Sequence, residues 1–257
     1  MNTIEKITTK LSDNLVIGKN IFHCKEITST NAIILDNADG LFSNGDILIA
    51  DVQTSGIGRY NRKWNSEKGG LYFSILFQQI DDLQKFYKFI ILVALAIKEL
   101  LEELTSDFNN FKIKWPNDIY YKDKKICGIL TQTKIQGEKI KLVIGIGINI
   151  NNTLLKEDIF RNAPIALKEI IHKKSDLQNI SQQLTIKINY YYDEYIKDNF
   201  NNYLIRLNQS IYKRNEKIKF TKDGKSILVR PLEFAYNGCL ICEVNGKKEL
   251  FSVGEIE

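Results

Sequence analysis

The pattern of hydrophobic and polar residues changes period several times along the first 150 residues, which predicts a mixture of strands and helices. Two short, almost wholly apolar segments at 47–52 and 71–77 are bounded by glycine or polar residues and predict buried strands. Between 84 and 104, apolar residues recur at three- and four-residue steps, which predicts an amphipathic helix packed against a sheet. The remaining elements predicted in this part are a short helix after 29–31, strand-like pieces at 111–115 and 118–121, and paired strands at 126–133 and 141–150 joined near Gly137.

The pattern changes again towards the C-terminus. Apolar positions at 154–207 have near-helical spacing, whereas short strands and tight turns dominate from Tyr212 onwards. Asn-Gly and Asp-Gly pairs between apolar runs indicate hairpins, and such a meander is typical of a small SH3-like β-barrel. We therefore expect an α+β protein with two domains: a central mixed sheet with flanking helices at 1–210, and the small barrel at 211–257.

Composition and charge narrow the class of protein. Hydrophobic residues make up 44% of the chain and charged residues 26%, which is typical of a globular protein. The net charge of +5 comes from scattered lysines, so it favours anionic substrates over a dedicated nucleic-acid surface. The apolar run 89–97 lies between Lys88 and Lys98 and is far shorter than the ~20 residues of a membrane span. Since the N-terminus also lacks the features of a signal peptide, we expect a cytoplasmic protein without a membrane segment.

The cysteines and histidines do not predict a metal site. Cys239 and Cys242 form a single C-x-x-C pair inside a β-like run, where residues three apart point to opposite faces. His23 and His172 have no partner at ligand spacing. We expect buried or half-buried thiols in a reducing compartment rather than structural zinc.

A basic, glycine-containing loop lies between the two predicted buried strands. Its glycines allow backbone N–H groups to approach an anion, its cations add charge, and its tryptophan offers a flat face. A dinucleotide-binding fingerprint is excluded, because Asn61 replaces the third glycine and the loop leads to a strand. A mobile basic surface loop remains the alternative for Arg62 and Lys63. The residues that carry the prediction are Gly56, Gly58, Arg59, Arg62, Lys63 and Trp64.

Three further segments place polar groups beside buried strands. In 114–118, the residue before proline is pushed to an extended conformation, so a stiff turn presents Asn117 and Asp118; an Asx turn is the alternative. In 125–130, a lysine opens a strand that contains a glycine, and a solvated strand end is the alternative. In 145–149, alternate glycines leave one face of a strand bare, either for a ligand or for a closely packed neighbour.

Taken in chain order, these segments resemble the biotin–protein ligase family over about residues 25 to 150. Its glycine-arginine loop has Ile57, Tyr60 and Asn61 where the family commonly has Arg and Gly. About 25 residues precede the motifs, so we expect the form that lacks the family's winged-helix DNA-binding domain. The matching motifs are Ser-Thr-Asn at 29–31, the loop 56–64, Lys-Trp-Pro-Asn-Asp at 114–118, Lys-x-x-Gly-Ile-Leu at 125–130 and Gly-x-Gly-Ile-Asn at 145–149.

The resemblance implies a two-step ligase that forms a carbon–nitrogen bond. Biotin's carboxylate attacks ATP to give biotinyl-5′-AMP and pyrophosphate, and a carrier lysine then attacks this adenylate. The implied catalytic residues are Lys125, which bridges carboxylate and phosphate, Arg59, which shares the charge with Mg²⁺, and Asp118, which orients the acceptor amine or takes its proton. The partner is a biotin carboxyl carrier protein or domain, and we expect a homodimer that binds no operator DNA.

The resemblance also implies two sets of binding residues and no fixed protein cage for the metal. The two alternatives are a lipoate-type ligase, whose Arg-Arg-x-Ser-Gly-Gly-Gly-like motif is absent, and a non-catalytic module that binds biotin or nucleic acid. The implied biotin-binding residues are Ser29, Thr30, Asn31, Gln53, Gly56, Ile57, Gly58, Arg59, Lys125, Gly128, Gly145 and Gly147. The implied ATP- or adenylate-binding residues are Arg59, Arg62, Lys63, Trp64, Asn117, Lys125 and Asn149, with Trp64 stacked on adenine.

Overall fold

A computed structural model describes residues 3–7, 15–37, 40–78, 80, 82–137, 139–154, 163–222 and 224–256. The chain divides into two compact units, each made of several segments. The first unit comprises Met1–Asp82, Ile126–Lys156 and Pro164–Asn189, and the second comprises Leu83–Lys125, Glu157–Ala163 and Tyr190–Glu257. The domain boundary expected at 210/211 falls inside the second unit and stays a prediction.

Thirteen strands and five α-helices are formed by the described residues. In the N-terminal half they are β1 Glu5–Ile7, β2 Ile21–Ile27, α1 Thr30–Asp36, β3 Ile47–Gln53, β4 Leu71–Gln78, α2 Leu83–Thr105, β5 Phe111–Lys114, β6 Asp118–Tyr121, β7 Lys124–Gln136 and β8 Lys139–Ile148. In the C-terminal half they are α3 Leu167–Ile171, α4 Leu177–Ile196, α5 Leu204–Gln209, β9 Ile218–Lys222, β10 Lys225–Phe234, β11 Leu240–Val244, β12 Lys247–Phe251 and β13 Glu255–Ile256.

The first unit is built on a mixed sheet. β2 and β3 are parallel, whereas the pairs β1–β2, β3–β4, β4–β8 and β8–β7 are antiparallel. Helix α1 covers one face of this sheet and buries Ile34 completely. Ile34 belongs to an apolar cluster with Phe22 of β2, Leu48 of β3 and Leu76 of β4, which fixes the start of α1 against the centre of the sheet.

The second unit contains the hairpin β5–β6, helix α2 and an all-antiparallel sheet in the order β12-β11-β10-β9-β13. This five-stranded sheet is consistent with a small SH3-like domain. Asn245 and Gly246 join β11 to β12 with positive φ angles of 49° and 79°, as a two-residue hairpin turn requires. Phe220 of the same sheet stacks on Trp115, with ring centroids 6.0 Å apart.

The α+β class and most predicted elements are confirmed. The region expected to be helical from 154 to 207 contains α3, α4 and the start of α5, and the chain leaves α3 at His172 with a left-handed φ of 55°. Residues 155–162 of that region lie outside the described residues. The four cysteines are free and buried, and no group of three or more His, Cys, Asp or Glu side chains comes together as a metal site among the described residues. Within the same residues, no helix is long and apolar enough to cross a membrane.

Candidate active site

A buried polar network surrounds the first turn of α1. The Ser29 hydroxyl caps this helix by accepting from the backbone N–H of Ala32. The side-chain oxygen of Gln53 accepts from both the backbone N–H and the hydroxyl of Thr30, at 2.8 and 3.0 Å. Because Ser29, Thr30 and Asn31 are each 5% exposed or less, their polar groups are held in place by the helix backbone and by the neighbouring strands rather than by solvent.

The network also contains residues that the sequence motifs did not indicate. Ser74 of β4 lies with its hydroxyl 2.7 Å from the Thr30 hydroxyl and 2.6 Å from the Asn31 side-chain oxygen. The Asn31 amide group donates to the Gln132 side chain of β7 at 3.0 Å. Ser66 accepts from the Gln53 amide group at 2.8 Å. The one available signal is Ser74, the only serine in a strand made mostly of aliphatic and aromatic residues.

The glycine-arginine loop, residues 56–64, folds as a small hairpin. The backbone N–H of Trp64 donates to the carbonyl of Gly56 at 2.9 Å, and the N–H of Gly58 donates to the carbonyl of Arg62 at 2.7 Å. A Cβ atom on Gly56 would lie 2.5 Å from the Trp64 carbonyl oxygen, so this glycine is required for the close approach of the two arms. Arg59 is half-buried, whereas Ile57, Arg62 and Lys63 are exposed.

The bare face of β8 is occupied by two predicted site residues. A Cβ atom on Gly145 would lie 2.0 Å from the side-chain oxygen of Asn31, and one on Gly147 would lie 2.6 Å from the indole nitrogen of Trp64. Gly128 of β7 is the strand partner of Gly147. The glycines therefore admit protein neighbours, and these neighbours are the side chains that the resemblance assigns to ligand binding.

Asn149 and Asn152 pair just after the end of β8. Asn149 is 4% exposed, and its side-chain oxygen accepts from the Asn152 amide group at 3.0 Å. The side-chain oxygen of Asn152 is buried and has no hydrogen-bond partner among the described residues. The first unit thus holds a buried acceptor beside Asn149, which the sequence motifs did not predict.

In the second unit, the turn between β5 and β6 brings a carboxylate to a lysine. The Lys125 ammonium lies 2.8 Å from the Asp118 Oδ2 atom. The other oxygen of this carboxylate, Oδ1, is buried and has no hydrogen-bond partner within the described parts of the chain. The backbone N–H of Asn117 closes the turn onto the Lys114 carbonyl, and the Trp115–Pro116 peptide bond is cis, a feature that the motif itself did not indicate.

A second lysine lies beside this pair. Lys114 is 6% exposed, and its ammonium lies 3.3 Å from the Tyr120 hydroxyl and 4.8 Å from the centre of the Tyr120 ring. Burial lowers the pKa of Lys114, and the nearby Asp118 carboxylate partly offsets this effect. The second unit therefore contains one lysine paired with Asp118 and a second, buried lysine on which the Asp118 charge acts.

The predicted site residues thus fall into two clusters, one in each unit. The structure brings together Thr30 with Gln53, Asn31 with Gly145, and Trp64 with Gly147 in the first unit. In the second unit it brings together Asp118 and Lys125. The first cluster contains Ser29, Thr30, Asn31, Gln53, Gly56, Ile57, Gly58, Arg59, Arg62, Lys63, Trp64, Gly128, Gly145, Gly147 and Asn149, and the second contains Asn117, Asp118 and Lys125.

Comparison with known proteins gives a consistent result. Residues 24–149 match the model of the Biotin/lipoate A/B protein ligase family. The bifunctional ligase/repressor BirA of Bacillus subtilis is 29% identical over 188 residues, covering 72% of this chain and 57% of that protein. BirA of Escherichia coli is 34% identical over 145 residues, covering 56% of this chain and 44% of that protein. The chain therefore spans about half the length of these relatives.

The fold comparison extends beyond the matched segment. The structure of a biotin protein ligase from Aquifex aeolicus, in complex with biotin and ATP, superimposes with a TM-score of 0.80 at 28% identity. It covers 93% of this chain and 98% of that one. Since family model, curated relatives and fold agree with the motif order, residues 24–149 form a domain of the Biotin/lipoate A/B protein ligase family.

Proposed function

We propose that this protein is a biotin–protein ligase, which activates biotin with ATP and transfers it to a lysine of a carrier protein. The observation that carries the proposal is the Asp118–Lys125 pair: one carboxylate oxygen holds the lysine and the other is buried without a partner among the described residues. A pure binding module would have no need for an unpaired buried carboxylate oxygen beside a held ammonium, since such an oxygen costs stability.

The polar network at α1 supports biotin as the substrate. Biotin has a neutral ureido ring, which needs both donors and acceptors in a slot that is otherwise apolar. Thr30, Asn31 and Gln53 supply both kinds of group. Thr30 and Gln53 are positioned by hydrogen bonds to each other, and Asn31 is positioned by its hydrogen bond to Gln132. A lipoyl head group is a dithiolane without such groups, so it could not use them.

The first chemical step requires cations, because a carboxylate must attack a phosphate that carries negative charge. We assign Lys125 the role of drawing the two anions together and Arg59 that of binding the phosphate. Mg²⁺ enters with ATP as part of the substrate, held by the phosphates, and polarises them. The described residues form no carboxylate cage that would hold it independently.

The second step requires the acceptor lysine to become neutral, since its unperturbed pKa is about 10.4. We assign Asp118 to this step. Its Oδ2 atom is engaged by Lys125, so Oδ1 is the oxygen available to accept a hydrogen bond from the incoming amine. Orientation of the amine and removal of its proton then occur at one atom.

The test is pyrophosphate release from ATP and Mg²⁺ in the presence of biotin or lipoate, with mass spectrometry of the bound adenylate. Release is expected with biotin and not with lipoate. Lys125→Met should reduce adenylate formation by about 10²–10³-fold, because it removes one aimed charge. Its matched control is Lys124→Met, since Lys124 is the exposed neighbour at the start of the same strand. No release with biotin, or equal release with lipoate, contradicts the proposal.

The carrier protein or domain belongs to a biotin-dependent carboxylase in this proposal. A homodimer, the lack of operator-DNA binding and a cytoplasmic location stay predictions. Addition of a biotin carboxyl carrier domain to the assay, followed by mass spectrometry of its lysines, tests the partner directly.

A further inference from the structure

The tip of the glycine-arginine loop has an unusual backbone. Tyr60 and Asn61 are both left-handed, with φ angles of 56° and 57°. Residues other than glycine rarely adopt this conformation, and two in succession with a bulky side chain are rarer still. Tyr60 is also 66% exposed, so burial of its ring does not compensate for the backbone. Some other interaction must favour a tyrosine at this position.

That interaction is with the two arginines of the tip. The Arg59 guanidinium lies 5.0 Å from the centre of the Tyr60 ring, and the Arg62 guanidinium lies 5.3 Å from the same centre. Arg59 also donates to the Tyr60 hydroxyl at 3.0 Å. Both distances are within the ~6 Å limit for attraction between a cation and an aromatic face.

Two guanidinium groups near one another repel, and this repulsion opposes any site that needs both. The negative face of an aromatic ring offsets part of it, because the ring attracts each cation. The backbone bond from the Gly58 N–H to the Arg62 carbonyl closes the hairpin and brings the two arginines to the same end. Tyr60 lies between the two arginines in sequence, and its ring is close to both guanidinium groups.

We propose that Tyr60 is a positioning residue. It holds Arg59 and Arg62 close together before a nucleotide binds, so that their two guanidinium groups form one site for the nucleotide's phosphate. This inference rests on the proposed function for the identity of the ligand, but not for the site itself. The site recognises a nucleoside phosphate through charge and bidentate hydrogen bonds. Tyr60 does not contact the reacting atoms; it reduces the cost of ordering the two cations.

The experiment uses three variants of the full chain and a matched control. Tyr60→Phe keeps the ring and removes the hydroxyl, Tyr60→Leu removes the ring, and Tyr60→Gly removes the ring and relieves the backbone. Tyr236→Leu is the control, because Tyr236 is 70% exposed and lies in the other unit. Trypsin cleavage after Arg62 and Lys63 reports on the loop, since the flanking residues of these two bonds are the same in every variant.

The measured quantity is the ATP concentration that halves this cleavage. It should rise by about 3- to 10-fold for Tyr60→Leu and Tyr60→Gly, stay within about twofold for Tyr60→Phe, and not change for Tyr236→Leu. Equal protection in all variants overturns the inference, and so does full protection in Tyr60→Gly, because the ring would then be unnecessary. Biotin-dependent pyrophosphate release by the parent is measured separately, so a protein that fails as a ligase is distinguished from a loop that does not depend on Tyr60.

Discussion

The close approach of Gly145 to Asn31 predicts that substitutions at these two positions have coupled effects on the free energy of unfolding. A methyl group at position 145 would lie 2.0 Å from the Asn31 side-chain oxygen and 2.6 Å from its amide nitrogen, so Gly145→Ala must displace this side chain. Asn31 is 5% exposed and is hydrogen-bonded to Ser74, the Leu130 carbonyl and Gln132. At about 1 kcal/mol for each hydrogen bond broken, Gly145→Ala should lower the free energy of unfolding by about 2–4 kcal/mol.

The assay is equilibrium urea unfolding of Gly145→Ala, Asn31→Ala and the double variant. Asn31→Ala alone should cost about 2–3 kcal/mol, because it removes the same hydrogen bonds. The double variant should cost about as much as Asn31→Ala alone, since the alanine methyl then enters the space that the asparagine leaves. The two changes are therefore coupled by about 2–4 kcal/mol, the full cost of Gly145→Ala alone.

Gly58→Ala is the control for the intrinsic effect of the glycine substitution. Its added Cβ atom would meet nothing closer than the Arg62 carbonyl at 3.5 Å, and its φ of −107° suits alanine. We expect a change in the free energy of unfolding close to zero or slightly stabilising. If the costs of Gly145→Ala and Asn31→Ala simply add in the double variant, the steric explanation is wrong.

Four further predictions concern the two clusters and the thiols. Asp118→Asn should still form adenylate but slow biotin transfer to the carrier by about 100-fold or more, as seen by comparing pyrophosphate release with carrier mass; equal loss of both steps would remove Asp118 from transfer. Arg59→Gly should release biotinyl-5′-AMP about 10- to 100-fold faster, measured as biotinylation of an unrelated lysine-rich protein, and unchanged labelling by a variant that still makes adenylate would refute it. Because the pKa of Lys114 is lowered in the folded state, the parent should gain stability relative to Lys114→Met as pH rises from the folded pKa towards the unfolded value near 10.4; a constant difference across that window contradicts the burial argument. Burial raises the pKa of Cys242 to about 12, so it should resist iodoacetamide in the folded protein at mildly alkaline pH and react in urea.

The elements that the sequence predicts well are those whose signal is local. The bounds of α2 differ by one residue at each end from the predicted 84–104, since its apolar positions keep a helical period throughout. The Asn245-Gly246 turn is also local, because only residues tolerant of positive φ fit it. The order of five motifs was enough to indicate the family, although no single motif would have been.

The features that escaped prediction depend on interactions between distant parts of the chain. Ser74 belongs to the polar network only because β4 lies under the start of α1, 43 residues away from Asn31 in sequence. The approach of two arginines to the Tyr60 ring occurs at a residue with a backbone conformation that a tyrosine normally avoids. Periodicity reports which face of an element is apolar, and it carries no information about which polar side chain meets another across the sheet.

The packing of Trp115 on Phe220 affects which amino-acid substitutions the second unit can tolerate. The strand that leads into the 114–118 turn is bordered by the chain at 210–212, since the Ile113 N–H donates to the Ser210 carbonyl and the Tyr212 N–H donates to the Ile113 carbonyl. The turn that carries Asp118 is therefore stabilised in part by contacts with residues nearer the C-terminus. A substitution in the small sheet that loosens Phe220 would alter the turn without touching any motif. Substitutions in the core of the C-terminal sheet should therefore reach the turn, and this core should tolerate fewer of them than its distance in sequence suggests.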